Sequence, residues 1–346
     1  MGEITHSAVG RKLGNSLDAS PPHRLLLSVY KRTAHANEGA AMSKQLHVKQ
    51  RSQRPSGEKA RERLLAGLPV TDRRLELAGI STAVLEGGDG PPVVLLHGPG
   101  EYAAKWLRVI PELVTTHRVI APDLPGHGTS EVADGPPEAD RVLAWLDELI
   151  RRTCVSPPAL VGLILGGAIA ARFASEQSGR LSRLVLVDSL GLGPFRPAPE
   201  FEHALIGWMA RPTEGTHDRI WQHCAFDLDR LRDRMGESWK PFAAYNVDRA
   251  RMPSVQAALH TLMEQFGMPA IPPADLARIS VPTTLIWGRH DLATRLPIAE
   301  AASARYGWPL HVIENAGDDP PLNSLKRFCM LCVPRSKPKT AEEAAR

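Results

Sequence analysis

Asp291, Asp318 and Asp319 are the side chains of this sequence whose type and spacing most directly suggest chemistry. Brought together in a closed site, such carboxylates share a proton or hold a metal ion, which would support acid-base or hydrolytic work without a serine. The plainer reading is preferred: Asp318 and Asp319 are solvated loop residues ahead of Pro320, and a hard-metal site needs more ligands than these supply. No metal and no cofactor is therefore expected. Asp188 ends an apolar run and is expected to cap the turn that follows. His290 adjoins Asp291, but adjacent loop residues usually point apart, so it is not assigned as a base. Cys329 and Cys332 have C-x-x-C spacing, yet one pair is half a zinc shell and lacks a thioredoxin-like context.

Positioning any of these requires a frame. The 346 residues, 43% apolar and 23% charged, allow one or two domains with a sizeable core. Four cysteines cannot build a disulfide scaffold, and no apolar run reaches the length of about 18 residues that a membrane span needs. A cytoplasmic protein with neither membrane nor nucleic-acid partner is expected. The formal net charge is +4, but residues 1–60 hold ten Lys or Arg against four Asp or Glu, so the positive excess belongs to a tail and not to a folded face. Residues 1–62 read as this basic, disordered tail, although the composition also fits a transit peptide and Met42 is an alternative start.

Beyond the tail, Leu75 to Val84 reads as an antiparallel hairpin around Ala78-Gly79, followed by apolar strands at Val93–Leu96, Arg118–Ala121, Ala159–Val161 and Leu184–Val187. Helical patterns over Tyr102–Leu113, Ala139–Arg152 and Gly167–Glu176 separate them. Residues 191–279 interrupt this alternation with amphipathic, aromatic-rich helices that either pack their own core or roof an apolar pocket. The alternation resumes at Thr283–Trp287, Pro297–Ala304 and Leu310–Ile313. Such alternation specifies an α/β protein with a mostly parallel sheet covered on both faces. Pro320 to Arg335 is a poor match to an amphipathic closing helix, and 334–346 reads as a frayed terminus.

With the strands placed, four ordered motifs become specific. They are Val94-Leu95-Leu96-His97-Gly98-Pro99-Gly100, Val119 to Gly128 with its Pro122-Asp123-Leu124-Pro125-Gly126-His127-Gly128, Leu160-Val161-Gly162-Leu163-Ile164-Leu165-Gly166-Gly167-Ala168, and Leu285-Ile286-Trp287-Gly288-Arg289-His290-Asp291. Over residues 73–325 the chain resembles the α/β-hydrolase superfamily. That resemblance implies a core of 63–190 and 280–333 with a helical lid, 191–279, inserted after the sixth strand. It also implies a nucleophile elbow of the form G-x-S-x-G, and here the central position is Ile164, which has no nucleophilic atom and whose β-branch disfavours the strained turn. The base histidine falls by eye on Asp318, and only the acid, Asp291, matches its position. Gly98, Pro99, Gly100, Leu163 and Leu165 are the implied oxyanion and pocket residues; Leu165 offers an N–H, Pro99 has none, and Gly100 is the substitute donor. His97 and His127 are structural in the resembling family. No cysteine takes the missing role, since Cys154 precedes the elbow strand and Cys224 lies in the lid.

Three functions are open at this point. The first is a degenerate hydrolase whose lidded pocket binds a small apolar carbonyl-type ligand without turnover. The second is an active hydrolase or lyase using Asp291 or Asp318 with the oxyanion site. The third is an interaction role for the basic tail. The partner is accordingly a small-molecule ligand or substrate, and a homodimer is one option for the assembly.

Overall fold

A computed structural model describes residues 56–135 and 137–332. The tail upstream of residue 56, with Met42, and the segment from 333 onward lie outside the described residues. Nine strands form one sheet in the order β1-β2-β4-β3-β6-β7-β8-β9, with β5 paired to β2. In chain order the elements are α1 (Ser56–Leu65), β1 (Thr71–Leu77), β2 (Ile80–Gly87), β3 (Pro92–Leu96), α2 (Ile110–Leu113), β4 (Arg118–Pro122), β5 (Glu131–Val132), α3 (Ala139–Thr153), β6 (Ala159–Leu163), α4 (Leu165–Gln177) and β7 (Arg183–Val187). Six helices follow: α5 (Pro199–Ala210), α6 (Glu214–Cys224), α7 (Leu228–Met235), α8 (Trp239–Ala250), α9 (Pro253–Leu262) and α10 (Pro273–Leu276). The chain closes with β8 (Thr283–Gly288), α11 (Pro297–Tyr306), β9 (Leu310–Ile313), α12 (Pro320–Asn323) and α13 (Leu325–Cys332).

The hairpin β1–β2 and the β2–β4 pair are antiparallel, and every pair from β4 across to β9 is parallel. Every residue of β3, β6 and β8 is buried, which is what helices on both faces of a parallel sheet produce. On α3 the buried residues Val142, Trp145, Leu146, Leu149 and Ile150 follow the helical period, so one stripe faces the core. Trp145 keeps its indole N–H satisfied there by donating to Thr82 Oγ1 at 2.8 Å. No helix among the described residues is long and apolar enough to cross a membrane.

Four expectations need correction. The helical insert follows the seventh strand, because the two-residue β5, too short to show in the hydrophobic pattern, adds one to the count. Residues 56–62 belong to a helix and not to a disordered tail: α1 buries Ala60 and Leu64, one turn apart, packs on α8, and ties Arg61 to Asp72 of β1 at 2.6 Å. Two buried side chains are too few to register as periodicity. The stretch expected as one helix from Tyr102 splits into a 3-10 turn, Ala103–Arg108, and α2, because Pro111 sets a new start. A closing helix does form: Phe328 of α13 is fully buried and stacks on Trp106 with ring centroids 6.2 Å apart.

Candidate functional site

The elbow lies where β6 passes into α4. Ile164 sits at its apex with φ 47° and ψ −101°, a left-handed conformation costly for a β-branched residue, by about 1–2 kcal/mol. The tight turn therefore forms despite the side chain that disfavours it. Its neighbours hold it there. The Ile164 N–H donates to Val187 O at 2.9 Å, while its carbonyl accepts from Ala168 and Leu190. A Cβ at Gly162 would lie 2.4 Å from Gly166 O, and one at Gly166 would lie 2.5 Å from Leu96 O, so strand and helix meet at a distance only glycine permits.

Above the apex is a cavity of about 170 Å³. Ile164, Pro99, Gly100 and Asp318 line it, as do Glu101 and, from the insert, Phe201, Trp208, Trp221, His217 and Cys224. Gly98, Leu163, Leu165 and Asp291 stand behind this wall; Leu163 and Leu165 are fully buried, so their side chains serve the core and not the pocket. As the first residue of α4, Leu165 has no intrahelical acceptor for its N–H. In the loop after β3 the Gly98 N–H is committed elsewhere, donating to Glu101 Oε2 at 2.8 Å, while Gly100, the expected substitute donor, lines the cavity.

The carboxylates are buried, contrary to the solvated-loop reading: Asp291 is 4% exposed and Asp318 5%. Asp291 accepts from the N–H groups of Ala293 at 2.7 Å and Thr294 at 2.9 Å, and from the Thr294 hydroxyl at 2.5 Å. Burial lifts its carboxyl above the ordinary range, and these three donors work against that rise. Asp318 is pushed well above the carboxylate range by burial and then by the charges of Asp291 and Asp319. Asp188 does not cap its own turn. Its Oδ1 accepts from Gly288 N–H at 2.9 Å, tying β7 to β8, while Oδ2 meets no N–H or O–H donor. Burial, and then the neighbouring Asp291 carboxylate, push the Asp188 carboxyl well above its usual range.

Lys105 went unrecognised in the sequence, and it organises the far side of this cluster. Only 3% exposed, its Nζ pairs with Asp319 Oδ2 at 2.6 Å and with Glu101, and lies 4.7 Å from the Trp221 ring centroid. Burial opposes its charge, but Asp319 and Glu101 more than offset this and raise its pKa. The Glu101–Lys105 spacing of four residues was a visible signal of pairing. Cys224, dismissed as a lid residue, is carried to the cavity by α6 beside Asp318; burial and that carboxylate push its thiol well up, so it stays a thiol. His217 is also at the wall, buried among Trp208, Trp221, Trp239 and Phe242, and burial lowers its pKa to about 4.

The remaining histidines stay outside this chemistry. His97 Nε2 accepts from Leu124 N–H at 2.9 Å and its Nδ1–H donates to Gly98 O at 2.8 Å, pinning two loops; burial holds it neutral, with a pKa of about 4. His127 packs beside it, with ring centroids 5.6 Å apart. His290 is exposed and lies against Phe226. Cys329 and Cys332 are free thiols on α13; burial pushes Cys329 up to about 12 and Cys332 well above its usual range. Among the described residues no three His, Cys, Asp or Glu side chains are grouped to hold a metal ion.

Residues 93–329 match the model of the alpha/beta hydrolase family. The 2-hydroxymuconate semialdehyde hydrolase of Pseudomonas sp. (strain CF600) is 31% identical over 277 residues, covering 76% of this chain and 93% of the relative. A pimeloyl-[acyl-carrier protein] methyl ester esterase of Aeromonas hydrophila is 28% identical over 229 residues, covering 61% and 82%. Among solved structures, the 2-hydroxy-6-oxo-6-phenylhexa-2,4-dienoate hydrolase from Rhodococcus sp. strain RHA1 superposes with a TM-score of 0.66 at 24% identity, over 75% of this chain and 95% of its own. That likeness is one of fold. The chain belongs to the alpha/beta hydrolase family.

Proposed function

We propose that this protein is a degenerate hydrolase, a pseudoenzyme of its family, whose lidded cavity binds a small apolar ligand without serine-type turnover. The observation that carries this reading is Ile164 at the apex of the elbow, its aliphatic side chain lining the cavity where the family places a serine. Loss of a nucleophile or base costs roughly 10⁴ to 10⁶ in rate, and the effects are non-additive. Asp318 at the base position does not supply an imidazole's service: it is a carboxyl, and burial with the charges of Asp291 and Asp319 disfavours its ionised form. The cavity supports binding on its own terms. Its volume of about 170 Å³ and its Trp, Phe and Leu lining suit a single aromatic ring, since an apolar cavity of about 150 Å³ holds benzene. The carbonyl-type ligand implied by the family finds one ready donor, the Leu165 N–H.

One observation favours a second reading. A buried carboxyl on a cavity wall whose pKa is raised is a candidate general acid, and Asp318 is such a group. The two readings part on turnover. Purified protein is incubated with short- and medium-chain aryl esters beside Asp291→Asn, Asp318→Asn and a buffer blank. Rates equal to the blank in all three proteins support binding without hydrolysis. Turnover by the unmodified protein that either substitution removes overturns it in favour of a carboxylate enzyme.

A further inference from the structure

We propose that Asn246 selects the ligand of this cavity: an uncharged aromatic ring bearing a hydroxyl, which donates to Asn246 Oδ1, while His217 holds the amide in the orientation that presents this oxygen. This rests on the binding reading above and names the ligand class of the same site. Asn246 and Ala250, one turn apart on α8, both line the cavity, so this face of the helix is turned to it. The amide donates one N–H to His217 Nε2 at 2.9 Å, and among the described residues no N–H or O–H reaches its oxygen. The direction of that bond follows from the other side of the ring. His217 Nδ1 lies 3.7 Å from the Asp218 carboxylate, which places the ring hydrogen on Nδ1 and leaves the Nε2 lone pair to accept. Trp208, Trp221 and Trp239 pack around the ring and fix its plane. Turning the amide over would set its oxygen against that lone pair, so the oxygen stays the unclaimed atom.

The chemistry of the ligand follows from what surrounds this oxygen. No lysine or arginine lines the cavity, so an anionic ligand would enter without a countercharge, and an uncharged group is favoured. The free atom is an acceptor, which a hydroxyl satisfies and an ether or ester oxygen does not. Gln256, on the same wall, is already engaged, donating to Ala250 O at 2.7 Å. Trp208, Met209, Val255 and Leu259 supply the apolar surface beside the amide, and a cavity of about 170 Å³ takes one ring with its hydroxyl.

Calorimetric titration of the full chain and of Asn246→Leu with phenol, anisole and toluene, which carry a hydroxyl, an ether oxygen and neither, tests this. Each affinity is taken relative to toluene and compared between the two proteins, so the ligands' own hydration cancels. The expected result is a phenol-to-toluene ratio at least about fivefold lower in Asn246→Leu, the scale of one hydrogen bond, with the anisole-to-toluene ratio unchanged. Asn246→Ala replaces the leucine variant should leucine fill the cavity. In His217→Phe, which keeps the amide but removes what holds it, the phenol ratio falls and the anisole ratio rises, because the released N–H then reaches the ligand. No change of either ratio in His217→Phe overturns the positioning role. A phenol ratio that is the same with and without Asn246, or an anisole ratio that falls with it, overturns the proposal and leaves the binding reading standing. Failure of all three probes to saturate the unmodified protein overturns both.

Discussion

At the elbow after β6 an isoleucine stands where the family places a serine, and the backbone around it takes the strained turn all the same. At the loop after β9 Asp318, proposed for the base position, lies in a network of Asp291, Asp319, Cys224 and, through Asp319, Lys105 and Glu101. The difference is one of physics. A strained φ is imposed by what surrounds it, here the Gly162 and Gly166 contacts and the hydrogen bonds to β7, so the turn forms even with a β-branched residue at its apex. A buried charge is compensated only by other charges and donors, so a change at the base position involves its whole neighbourhood.

The comparison predicts where substitutions hurt most. Lys105→Met leaves Asp319 and Glu101 without their cation in a buried setting and is expected to cost about 3–5 kcal/mol, read as a fall in the urea midpoint; a cost as small as that of a surface ion pair would show the cluster to be solvated. Gly162→Ala comes next. Its Cβ would meet the backbone oxygen of Gly166 at 2.4 Å, so the elbow must open, at about 3 kcal/mol by chemical denaturation. Unchanged stability would mean that the glycines do not set the turn.

Asp318→Asn has the smallest effect on stability, and its sign depends on pH. A carboxyl whose folded pKa lies above its unfolded value keeps a proton that the unfolded chain releases, so stability falls as pH rises through that interval, by up to about 1.4 kcal/mol per unit. Asparagine removes this dependence. Melting of the variant minus that of the parent should grow more positive from about pH 4 upward, the contributions of His97 and His127 being common to both. A difference that stays flat would sink the assignment of a raised pKa to Asp318.

The frame was legible because its strands are uninterrupted apolar runs such as Val93–Leu96 and Leu184–Val187, buried on both sides, and because glycine spacing marks the elbow even with Ile164 inside it. Loop order alone suggested Asp291 and Asp318 as the acid and base positions. Their burial did not, since a loop aspartate ahead of proline looks solvated until α6 and the Ala103–Arg108 turn are seen to close over it. Lys105 was invisible for the same reason: a lysine reads as surface, and only its ion pairs across distant segments allow it inside. Cys224 and His217 reach the cavity through docking of the insert, which no local pattern encodes.

The proposed reading makes one central claim, that serine-type turnover would be absent because of the residues at positions 164 and 318. The direct measurement is aryl-ester hydrolysis by Ile164→Ala, Ile164→Ser and the double variant Ile164→Ser/Asp318→His, each checked for folding. The account predicts no difference between the two single variants, and a rate at least about a hundredfold higher in the double variant, where Asp291 can orient the new imidazole. A rate for Ile164→Ser alone that matches the double variant would contradict it, because another residue would then already be serving as the base.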